Sequence, residues 1–294
     1  MPTHSEVTRF ISSLLPPKPN DIPLLYHIPQ SRTYNFDTAP CDQVVLSVTP
    51  TAGVYALLGP DPPNSRTTNS PDDARRPGSE EPRPPNTIAF LHRPDHLDRS
   101  RIRDNVLVLA SHTSFTEHLT LGWNPYLAAR LGVDTSPSSN TFIPVPSPTP
   151  TDPDRRIGAL ARINTILGPL LDAIEFEFGA IEAAQEGLSE EIHILALMNE
   201  FGADDVHRVL DLAVEQGWVR SERRLGRHVV CLTGRARGEG LEEAGRRGCT
   251  VVCVGEGVGE QWGIGFMAAR VREEFGGRGN GVRVREVYED ELGG

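Results

Sequence analysis

The sequence predicts an α/β protein with mainly parallel sheets, and three observations carry that expectation. Apolar runs of strand length alternate with amphipathic helical stretches through the second half of the chain, the pattern of parallel strands joined by crossover helices. Apolar residues make up 38% and glycines number 28, a composition able to build a packed core. The 294 residues suffice for one large or two medium domains.

The elements follow in order. Val7, Phe10, Ile11, Leu14 and Leu15 recur at helical spacing, and Pro16-Pro17 stops that helix. "QVVLSVTP" (43–50) is a β-branched strand run, and "TAGVYALLG" after it suits a short helix. Residues 60–85 hold eight prolines and almost nothing apolar, so a disordered insertion is expected there. "NTIAFLH" (86–92) and "NVLVLASH" (105–112) are strands that each end at a histidine. "TEHLTLGWNPYLAARLG" (116–132) reads as a loop and a helix, with Gly132 closing it. A Pro/Ser-rich linker is expected at 134–154, dividing an N-terminal α/β part (1–133) from a C-terminal one (155–294).

Beyond the linker, residues 155–179 show helical apolar spacing broken at Gly168-Pro169. Strands are expected at 191–199, 228–234, 249–255 and 281–290, with helices at 203–218, 239–248 and 260–277. In such sheets, ligands bind at the carboxyl ends of strands, where this reading puts His92, His112, Gly234 and Glu256.

Composition narrows the function. A net charge of −11 argues against nucleic acid or an anionic membrane as partner, and no window is long and apolar enough for a membrane span. Cys41, Cys231, Cys249 and Cys253 form no CxxC pair and read as buried small hydrophobes of a reducing compartment. The expected location is the cytoplasm, with nucleus and mitochondrion left open.

The glycine-rich "GEGVGEQWG" (255–263) lacks the G-x-G-x-x-G spacing, and Glu256 would place a negative charge against a pyrophosphate. No G-x-S-x-G elbow supports a serine hydrolase. What remains is a set of imidazoles and carboxylates. His92 and His112 stand at strand ends, and Glu256 and Glu260 lie four apart at a strand-to-helix junction, a spacing that aims two carboxylates at one centre. Each has an ordinary alternative, a hydrogen-bonded strand-end histidine or a solvated carboxylate at a helix start. His96, His118, His193, His207 and His228 carry no ligand pattern in the sequence.

"SHTSFTEHLTLGWNPYLAARLG" (111–132) resembles the H-T-N-L-D and G-x-N-x-x-L-A segments of the NGG-one-interacting factor three family, also labelled GTP cyclohydrolase 1 type 2-like. His112, Thr113, Gly122, Asn124, Leu127 and Ala128 carry the match. "FLHRP" (90–94) stands where that family has H-H-P, and residues 231–263 resemble its T-G-E-x-x-H-H and H-x-x-x-E segments. The resemblance implies two α/β lobes, a two-metal site, hydrolase chemistry and a toroidal homo-oligomer. The family's name also implies a protein partner in transcription, which no motif here requires.

Carried over residue by residue, the ligand set is depleted. His92 and Glu260 remain as metal ligands, and Glu256, which replaces the histidine of H-x-x-x-E, is the third candidate ligand. Arg93 replaces the second histidine of H-H-P, Thr116 replaces the aspartate, and Arg235 and Gly238-Glu239 replace the polar positions of T-G-E-x-x-H-H. A two-metal centre must hold two dications about 4 Å apart, whereas Arg93 adds a permanent cation. The expected cofactor is therefore one divalent metal at most. The alternative is a metal-free network in which Arg93 pairs with Glu256 or Glu260. Two functions follow: a non-catalytic scaffold or regulatory protein, or a metal-dependent hydrolase of a nucleotide or other phosphorylated small molecule with His112 or Glu117 as base.

Overall fold

The structure is a computed structural model, and it describes residues 1–60, 84–147, 155–219, 225–277 and 281–288. Most of the expected insertion at 60–85, and part of the linker, lie outside these residues. By contact density the chain divides into two compact units, residues 1–13, 20–112 and 267–294 in the first and 14–19 and 113–266 in the second.

The first unit is built on a five-stranded sheet. Strands β2 (Gln43–Ser47), β3 (Thr87–Leu91) and β4 (Val106–Ala110) are parallel neighbours, and every residue in them is buried. Such strands read as continuous apolar runs because both faces are covered. β1 (Leu25–His27) adds an antiparallel edge against β4. At the other edge β11 (Arg283–Val287) pairs parallel with β2, so the end of the chain completes the sheet begun near its start. Val45, Ala89, Leu91, Val106 and Val108 pack with Val54 and Leu58 of α2 (Ala52–Leu58) in one core cluster. Helix α1 (His4–Leu14) buries Val7 and Ile11.

In the second unit the sheet has six strands in the order β5 (Phe142–Pro146), β6 (Arg156–Ile166), β8 (Glu191–Phe201), β9 (Val229–Ala236), β10 (Thr250–Cys253) and β7 (Ala183–Gln185). Its two faces alternate along each strand. Leu195 and Leu197 of β8, with Val230 and Leu232 of β9, join a core with Leu127 of α4 (Pro125–Arg130) and Ile174 of α5 (Leu167–Phe178). Ile194, Ala196 and Met198, with Val229 and Cys231, join Val206 and Leu210 of α6 (Ala203–Glu215) and Ala244 of α7 (Gly238–Arg247). Helix α3 (Thr113–Leu119) follows directly on His112, and α8 (Glu256–Phe275) follows β10.

Three expectations are corrected. The helical spacing read at 155–166 is strand β6, paired antiparallel with both β5 and β8. Residues 158–161 are buried on both faces, which erases the alternation that marks a strand, and pairing on two sides overrides the weak local signal. The helix proper begins at Leu167, so Gly168-Pro169 lie in its first turn, where a proline costs no hydrogen bond. The sheets are mixed: β8, β9 and β10 are parallel, but β5, β6 and β7 run antiparallel to their neighbours. Gly234 lies inside β9 rather than at its end. All four cysteines are buried and free.

Candidate functional site

The residues singled out in the sequence fall in both units: His92, Arg93 and His112 in the first, and Thr116, Glu117, Glu256 and Glu260 in the second. His92 follows β3 and is fully buried. Its Nδ1 lies 3.1 Å from the Ser111 carbonyl oxygen, and its ring stacks on His112 with centroids 4.8 Å apart. A neutral His92 that donates from Nδ1 keeps its lone pair on Nε2, the protonation state a ligand needs. The sequence reading missed Asp21, which fixes this corner. Its carboxylate accepts from Ser111 Oγ at 2.7 Å and from the His112 backbone N–H at 2.8 Å. Replacing it by alanine removes these bonds and a third, from the Ile22 N–H at 2.8 Å, and Asp21→Ala is expected to lower stability by about 2 kcal/mol in chemical denaturation. An unchanged midpoint would show that Asp21 is not the clamp.

In the second unit, the segment 113–132 is held by groups that have no ligand chemistry. Asn124 is fully buried and caps α4, accepting from the N–H groups of Tyr126 and Leu127 at 3.1 Å, while its amide donates to the Thr120 carbonyl at 3.1 Å. A Cβ on Gly122 would stand 2.6 Å from the Glu117 carbonyl oxygen and 2.7 Å from Asn199 Nδ2. Asn199, at the end of β8, reaches back to the Thr116 carbonyl at 2.7 Å and accepts from Thr120 Oγ1 at 2.5 Å. Leu127 and Ala128 are core residues.

The candidate base Glu117 is buried and forms an ion pair with Lys18. Next to it, His118 is held down to about 4 by burial, with Lys18 and Arg156 adding to the effect, so it is neutral at physiological pH. Glu260 is buried on α8, whereas Glu256 at the start of α8 is half-exposed and lies 3.9 Å from the Arg235 guanidinium. Arg235 is the residue at the glutamate position of T-G-E-x-x-H-H. Thr233, the threonine of that segment, bonds its own strand, accepting from the Arg235 N–H at 3.2 Å.

Within the second unit, Glu256 and Glu260 are the carboxylates at the resembled ligand positions, and an arginine is within ion-pair reach of Glu256.

A second cluster was not foreseen. Glu191 and His193 of β8 and His228, at the start of β9, each bring one donor atom within 4.8 Å of the others. The readable signal was the Glu-x-His spacing at 191–193, which puts both side chains on one face of a strand. The missing piece was the parallel β8–β9 register, which pairs Ile194 with Val229 and so sets His228 beside His193.

The arrangement defines an α/β protein of two mixed sheets, and the comparisons with solved structures then give the fold its relatives. The protein ybgI, titled as of unknown function, superposes with TM-score 0.58 at 14% identity, over 99% of this chain and 100% of that one. A Bacillus cereus protein related to NIF3 gives TM-score 0.55 at 13% identity, over 99% of each chain. Reduced HcgD from Methanocaldococcus jannaschii gives 0.56 at 14% identity, over 97% of each. The chain has the fold of these NIF3-type proteins. No protein-family profile matches the sequence, and no curated protein does. Among the described residues, no helix is long and apolar enough to cross a membrane.

Proposed function

We propose that this chain is a non-catalytic scaffold or regulatory protein on the NIF3-type fold, with a degenerate two-metal centre that holds one divalent metal at most. It acts as a homo-oligomer and presents its surface to a protein partner. One observation carries this reading: Arg93 and Thr116 stand at two positions where the resemblance expects metal ligands, while the matched residues of 122–128 keep their work in the fold. Gly122, Asn124, Leu127 and Ala128 have structural work in the second unit, as a close approach, a helix cap and two core contacts. Arg93, Thr116 and Arg235 occupy positions where the resemblance expects histidine or carboxylate.

Metal analysis by mass spectrometry, on protein purified without tag or chelator, tests the reading and separates it from a metal-dependent hydrolase. Fewer than two ions per chain are expected at these positions in the wild type, with any ion there lost in His92→Gln or Glu260→Gln, and the content is expected to rise in Arg93→His. Two ions per chain in the wild type, lost on either of the first two substitutions, would overturn it.

A further inference from the structure

We infer that Glu191, His193 and His228 form a binding site for one divalent transition ion of the zinc class, separate from the residues discussed above and independent of the proposed function. Two imidazoles and a carboxylate are the donor set that zinc takes when three protein ligands leave a fourth position to water. Their donor atoms already lie within 4.8 Å of one another. Bonds of about 2.1 Å around a tetrahedral ion bring neighbouring donors to roughly 3.4 Å, so the site closes by about 1.4 Å. That is within the side-chain rotation open to an exposed Glu191 and two partly buried rings.

Three further features prepare the site. Glu191 and His193 share a face of β8 because side chains two apart do so, with Ile192 turned into the core between them. The His228 ring is held by its Nδ1, which lies 2.8 Å from the Glu191 carbonyl oxygen. Donation from Nδ1 to a backbone carbonyl fixes the tautomer and leaves Nε2 with the lone pair, the second interaction that orients metal-binding histidines. On the far side of β8 the ladder slips between Arg162 and Thr165, which pair with Ile194 and Ile192. Two residues of β6 thus oppose His193 alone, a bulge of the kind that re-aims a side chain.

The test is calorimetric titration of zinc into tag-free, chelator-stripped full-length protein. One zinc per chain is expected, with affinity lowered about tenfold or more in the His193→Ala/His228→Ala double variant and unchanged in His92→Gln/Glu260→Gln. Carbethoxylation of wild-type histidines, mapped by mass spectrometry, keeps the test free of folding defects: zinc should protect His193 and His228 and leave the modification of His96 unchanged. No zinc binding, or equal modification of His193 and His228 with and without zinc, overturns the site and leaves the scaffold reading standing. Zinc binding lost only in His92→Gln/Glu260→Gln overturns both.

Discussion

Gly122→Ala is expected to destabilise the protein by about 3 kcal/mol, enough to lower the thermal midpoint by roughly 10 °C. The added methyl would sit 2.6 Å from the Glu117 carbonyl oxygen, which is backbone and already accepts from the Trp123 N–H at 2.6 Å. Its other neighbour, Asn199 Nδ2, is tied to the Thr116 carbonyl at 2.7 Å, so it cannot swing away without breaking that bond. The turn between α3 and α4 must open, and the Asn124 cap that starts α4 loosens with it. Asn124→Ala is expected to fall in the same direction by a smaller amount, since its cap contacts are lost without a clash. Thermal unfolding of the two variants decides the matter. A glycine kept for ligand access rather than for packing would give a Gly122→Ala protein as stable as the wild type.

Acid should cost the folded state several kcal/mol before carboxylates matter. Burial lowers the His4 imidazole to about 4, with Asp42 opposing the shift only weakly, and burial with Lys18 and Arg156 lowers His118 to about 4. His27 shifts the same way, through burial and Arg99. The unfolded chain binds protons on His4 and His118 from about pH 6.5 downward, whereas the folded chain refuses them until about pH 4. Between those values the unfolded state holds more protons, so stability falls as pH falls, by on the order of 2 kcal/mol each for His4 and His118 at pH 4.5.

Glu243 lies outside this window. Arg247 and then His207 hold its carboxyl down to about 2, so its contribution is lost as pH falls from about 4.5 toward 2. Chemical denaturation at pH 7 and pH 4.5 should show the loss in the wild type, and His118→Gln should remove its share of the pH dependence. Equal stability at the two pH values would mean that both rings are solvated or find an acid partner.

Strand and helix content was legible wherever one residue's neighbours in sequence decide its environment. β2, β3 and β4 announced themselves as unbroken apolar runs, and α6 as a regular amphipathic stretch. The depletion of the resembled metal site was legible too, since Arg93 and Thr116 are facts of sequence. β6 was not legible, because its central residues are small, buried on both faces and held by partners on either side. Nor was the return of β11 to the first sheet, which depends on pairing across some 240 residues with β2.

The same division runs through the chemistry. The sequence by itself determined which side chains are available: few aromatics, no nucleophile elbow, and a few histidines and carboxylates at positions where the resemblance expects metal ligands. Tertiary structure alone decided which of them meet. Asp21 and Ser111 are 90 positions apart and bond at 2.7 Å, and His193 and His228 stack only because β8 and β9 pair in one register. A strand's own period sets which face a side chain takes, but its lateral neighbour is chosen by the hydrogen-bond ladder, and that choice is made by burying both faces of the sheet at once.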